Sequence, residues 1–99
     1  MKEQIIKTYE ADYKFFLSEA ARCTIEKNKD DTEFGRAMNF GMIIAFKSAA
    51  YIMYSRLNCI APNYYPLIIT AGIELCIEQR VAEIIKEKSD HEQKTQPLS

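Results

Sequence analysis

The sequence predicts an all-α protein, an antiparallel three-helix bundle. Three observations carry that expectation. Apolar residues recur at steps of three and four through three long stretches. Strand signals are missing, with neither sustained apolar/polar alternation nor an Asn-Gly or Asp-Gly hairpin turn. Two turn-rich points, Asn28 to Thr32 and Ala61 to Pro66, divide the chain and are too short to be interdomain linkers. A chain of 99 residues has room for one core. The expected organisation is a single helical domain over 1–88 and a polar tail over 89–99.

The first helix is expected at about 2–28. Ile5, Ile6, Tyr9, Tyr13, Phe16, Leu17, Ala20 and Cys23 fall on one stripe about 120° wide, with Lys7, Glu10, Lys14 and Glu26 outside it. Phe15 and Ile25 are also off the stripe, which hints at a second contact surface on this helix.

The second helix is expected at about 32–58, capped by Asp31 or Thr32, with Glu33 favourable to the helix dipole in the first turn. Its core stripe reads Met38, Met42, Ala45, Phe46, Ala49, Ile52 and Met53. Gly35, Gly41, Ala45 and Ala49 would admit a close helix neighbour. The other side is mixed rather than polar, because Arg36, Asn39, Phe40, Ile43, Lys47, Tyr51, Tyr54 and Asn58 share an arc of about 120°. A helix apolar on most sides is normally covered on most sides, so this one is expected to be central and the most buried.

The third helix is expected at about 65–88. Pro66 suits a first helical position, where the missing N–H costs nothing. Ile69, Ile73, Cys76, Ile77, Val81, Ile84 and Ile85 form its main stripe, and Ile68, Ala71, Leu75 and Ala82 a weaker one. Lys86 and Lys88 favour a helix C-terminus. From Ser89 onward the chain is polar and aperiodic and contains Pro97, which predicts a frayed or disordered tail.

Composition narrows the classes of function. The chain is 47% hydrophobic and 27% charged, with a net charge of −1, which excludes a wholesale polyanion binder. The first residues lack the unbroken apolar run of a secretory signal. The greasiest stretch, Phe40 to Tyr54, is too short to span a bilayer and carries Lys47 at its middle. The three cysteines, Cys23, Cys59 and Cys76, are scattered and odd in number, which suits free buried thiols in a reducing cytoplasm better than a disulfide framework.

Catalytic signatures are sparse. His91 is the one histidine and lies in the polar tail, so nucleophile–base pairs built on His are not indicated. Neither a phosphate-cradling glycine loop nor a Glu-x-x-His ligand pair occurs. The expectation is therefore no catalytic, cofactor-binding or metal-binding residues. Glu74 and Glu78 share a helix face and could serve acid–base or cation chemistry, but a salt-bridging face is the simpler reading. If Glu74 is buried among Ile73, Leu75 and Ile77, it needs a cation such as Arg36, Lys47 or Arg56.

What is left over is apolar helix surface. Three thin rods cannot bury it among themselves, and a second copy or another protein would. The leading expectation is a small non-catalytic interaction or regulatory protein, a cytoplasmic helical homodimer acting on a protein partner, with no membrane role. Its expected contact residues are Arg36, Phe40, Ile43, Lys47, Tyr51 and Tyr54, with Tyr64 and Tyr65 at the entry to the third helix. The first alternative is nucleic-acid binding through Arg36, Lys47 and Arg56 interleaved with aromatics. It is disfavoured because so few cations share the face. The second is a small-ligand or metal-binding bundle built on Glu74.

Overall fold

The computed structural model describes residues 2–61 and 70–95, and in α3 the side chains of residues 72–91. It contains three helices and, among the described residues, no strand: α1 Lys2–Lys29, α2 Glu33–Ile60 and α3 Thr70–Thr95. The all-α expectation holds, with element boundaries close to those predicted for α1 and α2. The expected start of the third helix at Tyr65-Pro66 lies outside the described residues.

The turn between α1 and α2 is built by three side chains. Asp30 Oδ1 accepts hydrogen bonds from the Thr32 backbone N–H at 2.9 Å and from the Thr32 hydroxyl at 2.7 Å. Thr32 is the N-cap of α2 and its hydroxyl oxygen accepts from the Gly35 N–H at 3.0 Å, satisfying one of the orphan donors of the first turn. The Arg36 guanidinium closes the turn by donating to the Asp30 carbonyl at 3.1 Å.

This turn sends α2 back along α1. The N-terminal half of α1 meets the C-terminal half of α2, where Tyr13, Ala50, Tyr54 and Leu57 form one buried cluster flanked by Ile6, Tyr9, Phe16 and Met53. The Tyr13 and Tyr54 rings lie 6.2 Å apart, tilted by 45°. The third helix then runs alongside α1 in the same direction. Ile73 and Ile77 pack on Ala20 and Ala21, and Val81 and Ile85 reach the level of Ile25. Arg80 Nε donates to Ser18 Oγ at 3.1 Å, fixing the two helices in register.

The central helix is α1, which corrects the expectation that the second helix is the most buried. α1 packs tightly on α2 on one side and carries α3 on the other, whereas α2 and α3 meet only sparsely. Ala20 and Ala21 are both fully enclosed. Consecutive helical positions point about 100° apart, so enclosing both requires cover from two directions. Small side chains at Ala20, Ala21 and Cys23 let two neighbours approach α1 closely. Hydrophobic content and small residues both favoured α2, yet the structure covers α1 from two sides and leaves Gly41 and Ala45 of α2 exposed.

A second correction concerns the C-terminus. Residues 89–95, expected in the tail, continue α3 to Thr95. Nothing between Ser89 and Thr95 breaks a helix, and Pro97 is the first residue that cannot continue one.

The cores on either side of α1 are small. Among the described residues, Leu57 and Ile73 are the large side chains that are completely enclosed. The radius of gyration is 16.3 Å, against about 13 Å for a compact chain of this length. The accessible surface is 7293 Å², roughly 1,500 Å² above the ~5,800 Å² typical of a folded monomer of this mass.

Candidate functional site

Most of the exposed large apolar side chains are on α2. Only one stripe of that helix faces α1: Gly35, Ala50, Tyr54 and Leu57 are buried, with Ile43, Phe46 and Met53 half-buried between them. This stripe runs between the two arcs that the sequence distinguishes. It takes Phe46 and Met53 from the predicted core arc and Ile43 and Tyr54 from the predicted contact arc. Met38, Met42 and Ile52, expected in the core, are 54%, 41% and 47% exposed.

Those residues belong to an outer face that points away from α1. Phe34, Met38, Gly41, Ala45, Ser48 and Ile52 follow one another at steps of four and three, the spacing that keeps side chains on one side of a helix. Phe34 is 78% exposed. Gly41 opens onto free space, with nothing that an added Cβ would touch. The six residues carry no charge. The face is framed at its ends, by Asp31 and Glu33 beside the N-terminus of α2 and by Arg56 near its C-terminus. Among the described residues these three charged groups make no ion pair.

The residues predicted as a contact surface fall on the side of α2 that turns toward α1 and α3. Arg36 is tied to the α1–α2 turn. The Phe40 ring lies beneath the Lys27 ammonium, 5.1 Å from its centroid. Ile43 is half-buried. Lys47 Nζ donates to Glu74 Oε1 at 2.8 Å. Tyr51 is exposed and borders a groove of about 300 Å³ with Ile44, Lys47, Ser48 and Ile73. Tyr54 is in the core, because α1 crosses its arc at that point, and it is removed from any exposed surface. Tyr64 and Tyr65 lie outside the described residues.

The basic residues are therefore not assembled into one surface. Arg36 and Lys47 each have a local partner, and Arg56 lies at the far end of the helix. Glu74 does find one of the cations that the sequence proposed for it, but as a half-exposed pair rather than a buried one. Among the described residues, no group of three or more His, Cys, Asp or Glu side chains could hold a metal ion. No helix of the described residues is long and apolar enough to cross a membrane. Cys23 is buried and Cys76 half-buried, while Cys59 is exposed, contrary to the expectation of buried thiols.

The tyrosine cluster has one perturbed group. Burial, followed by the neighbouring Cys76 thiol and then Tyr54, pushes the Tyr13 hydroxyl from 10.0 up to about 12. It is enclosed between helices in the α1–α2 core rather than set in a cleft.

The sequence contained the outer face but not its exposure. Its apolar residues are of the kind that fill cores. The telling signal was the pair Gly41 and Ala45 at the middle of the four-three spacing, with larger residues at both ends. No family model, curated protein or solved structure matches this chain.

Proposed function

We propose that this chain is a small non-catalytic interaction protein of the cytoplasm, with a regulatory role exerted by docking the outer face of α2 on another polypeptide. The observation that carries the reading is the uncharged face from Phe34 to Ile52, whose large side chains are held in water by the helix that positions them. Contiguous exposed apolar surface of this kind marks protein contact sites. The rigid α1–α2 hairpin keeps the face in one conformation, which limits the entropy lost on binding.

A capture experiment tests the reading. The tagged full chain is immobilised in native lysate and compared with Ala45→Arg, which places a charge at the middle of the face, and with Tyr51→Ala, on the side toward α3. The expected result is that Ala45→Arg loses the bound polypeptides with unchanged helicity while Tyr51→Ala retains them. Retention by Ala45→Arg and loss by Tyr51→Ala would move the site to the other side of α2 and overturn the assignment.

A further inference from the structure

We infer that the polypeptide covering the outer face of α2 is a second copy of this chain, packed with its α2 antiparallel to the first and the two-fold axis level with residue 43. The inference rests on the docking role proposed above and names its occupant. It is carried by steric and electrostatic relationships.

The steric relationship is a palindrome of side-chain size. In an antiparallel pair centred at residue 43, Gly41 of each copy meets Ala45 of the other, Met38 meets Ser48, and Phe34 meets Ile52. Small residues meet at the middle, where crossed helices approach most closely, and open space at Gly41 permits that approach. Large residues meet at the ends, where the helix axes diverge and the gap needs filling. In the intermediate layer a long Met lies over a Ser. A parallel pairing would instead stack Phe34 on Phe34 and Gly41 on Gly41, leaving one layer overfilled and another hollow.

Charges at the two ends obey the same symmetry. Arg56 stands about 20 Å beyond the level of residue 43 along α2 at 1.5 Å per residue, and Asp31 stands just before the N-cap at the other end. Antiparallel pairing therefore brings Arg56 of each copy toward Asp31 of the other, and does so twice. Neither Arg56 nor Asp31 has an ion-pair partner within one chain among the described residues. A parallel pair would place Arg56 against Arg56.

The experiment is the solution mass of the full chain by light scattering over a concentration series, for wild type and three charge variants. Wild type is expected near twice 11.5 kDa. Ala45→Arg is expected to be monomeric with its helicity intact, since Ala45 is exposed in the single chain. Arg56→Asp and Asp31→Arg are each expected to weaken association by about tenfold, two end contacts being lost at once, and their combination to restore it. A wild-type monomer at every concentration overturns the self-pairing. So does a dimer that withstands Ala45→Arg, or a combined variant no tighter than either single change. If wild type is monomeric while Ala45→Arg still abolishes capture from lysate, the docking role of the face stands and only its occupant is wrong. If Ala45→Arg changes neither mass nor capture, both fall.

Discussion

Lys47 Nζ lies 2.8 Å from Glu74 Oε1, joining α2 to α3 across a boundary where the two helices otherwise barely touch. The Lys47 side chain is 29% exposed and that of Glu74 53%, so the pair works in a largely aqueous dielectric. A double-mutant cycle with Lys47→Met and Glu74→Gln, read by urea denaturation, is expected to give a coupling of about 0.5 kcal/mol that shrinks with added salt. A coupling several times larger would mean that the α2–α3 groove is closed in solution.

Phe15 and Phe16 give a test of which face of α1 is covered. Phe16 packs against the α1–α2 core and stacks on Phe46, with ring centroids 6.3 Å apart. Phe15 is 54% exposed. Phe16→Ala is expected to cost about 3 kcal/mol and Phe15→Ala less than about 1 kcal/mol, as midpoint shifts at constant denaturant slope. Equal costs would place Phe15 in a contact that the single chain does not contain.

Ile73 holds α3 onto α1 and is completely enclosed. Ile73→Ala is expected to cost about 2–5 kcal/mol, and α3 amide protons should exchange faster than those of the α1–α2 hairpin. Uniform loss of protection across all three helices would show instead that the hairpin and α3 unfold as one unit.

The Tyr13 hydroxyl supplies an alkaline signature. Its value rises from 10.0 to about 12 on folding. A raised folded-state value means that the unfolded chain releases this proton first, so the contribution is complete below pH 10 and is lost as pH climbs toward 12. Thermal melts of wild type should fall steeply across that window, and Tyr13→Phe should flatten the fall. An unchanged alkaline limb in Tyr13→Phe would assign it to the other tyrosines or the lysines.

Gly35 is small because of Asp30. A Cβ at Gly35 would collide with the Asp30 carboxylate, which the Thr32 hydroxyl and N–H hold in place and keep below the usual carboxylate range. In an unobstructed helix, Gly→Ala gains about 1 kcal/mol. Here Gly35→Ala is expected to lose about 1 kcal/mol instead, through displacement of Asp30 and disturbance of the Thr32 cap. The depressed Asp30 value carries its own sign. Its contribution is present above the unfolded value of 3.8 and is lost as pH falls through the lower folded value. Asp30→Asn should therefore reduce stability at neutral pH and leave a shallower acid limb.

The fold class and the helix faces were legible in different degrees. α1 and α3 each carry one dominant apolar stripe, and the structure buries Tyr13, Ala20 and Cys23 on the first and Ile73 and Ile77 on the second, as their spacing predicts. Ile25, off the α1 stripe, is buried near the end of α3, while Phe15, equally off it, stays in water. On α2 the apolar residues surround the axis, so periodicity had no unique direction to report. Of the predicted contact arc, Tyr54 is buried by α1 and Lys47 is tied to Glu74, while Arg36, Phe40 and Tyr51 stay exposed.

The sequence by itself determined the number of helices, a cap at Asp31 or Thr32, the Glu74 ion pair as one of three options, and the surplus of apolar surface. These follow from local spacing, turn chemistry and charge, which act within a few residues or through a short list of partners. Only the tertiary structure decided that α1 is central and that Phe34, Met38 and Ile52 face outward. Which stripe of an all-round apolar helix is covered depends on where its neighbours can approach. That is a relationship between distant residues, Tyr13 of α1 with Ala50, Tyr54 and Leu57 of α2, that no single helix encodes.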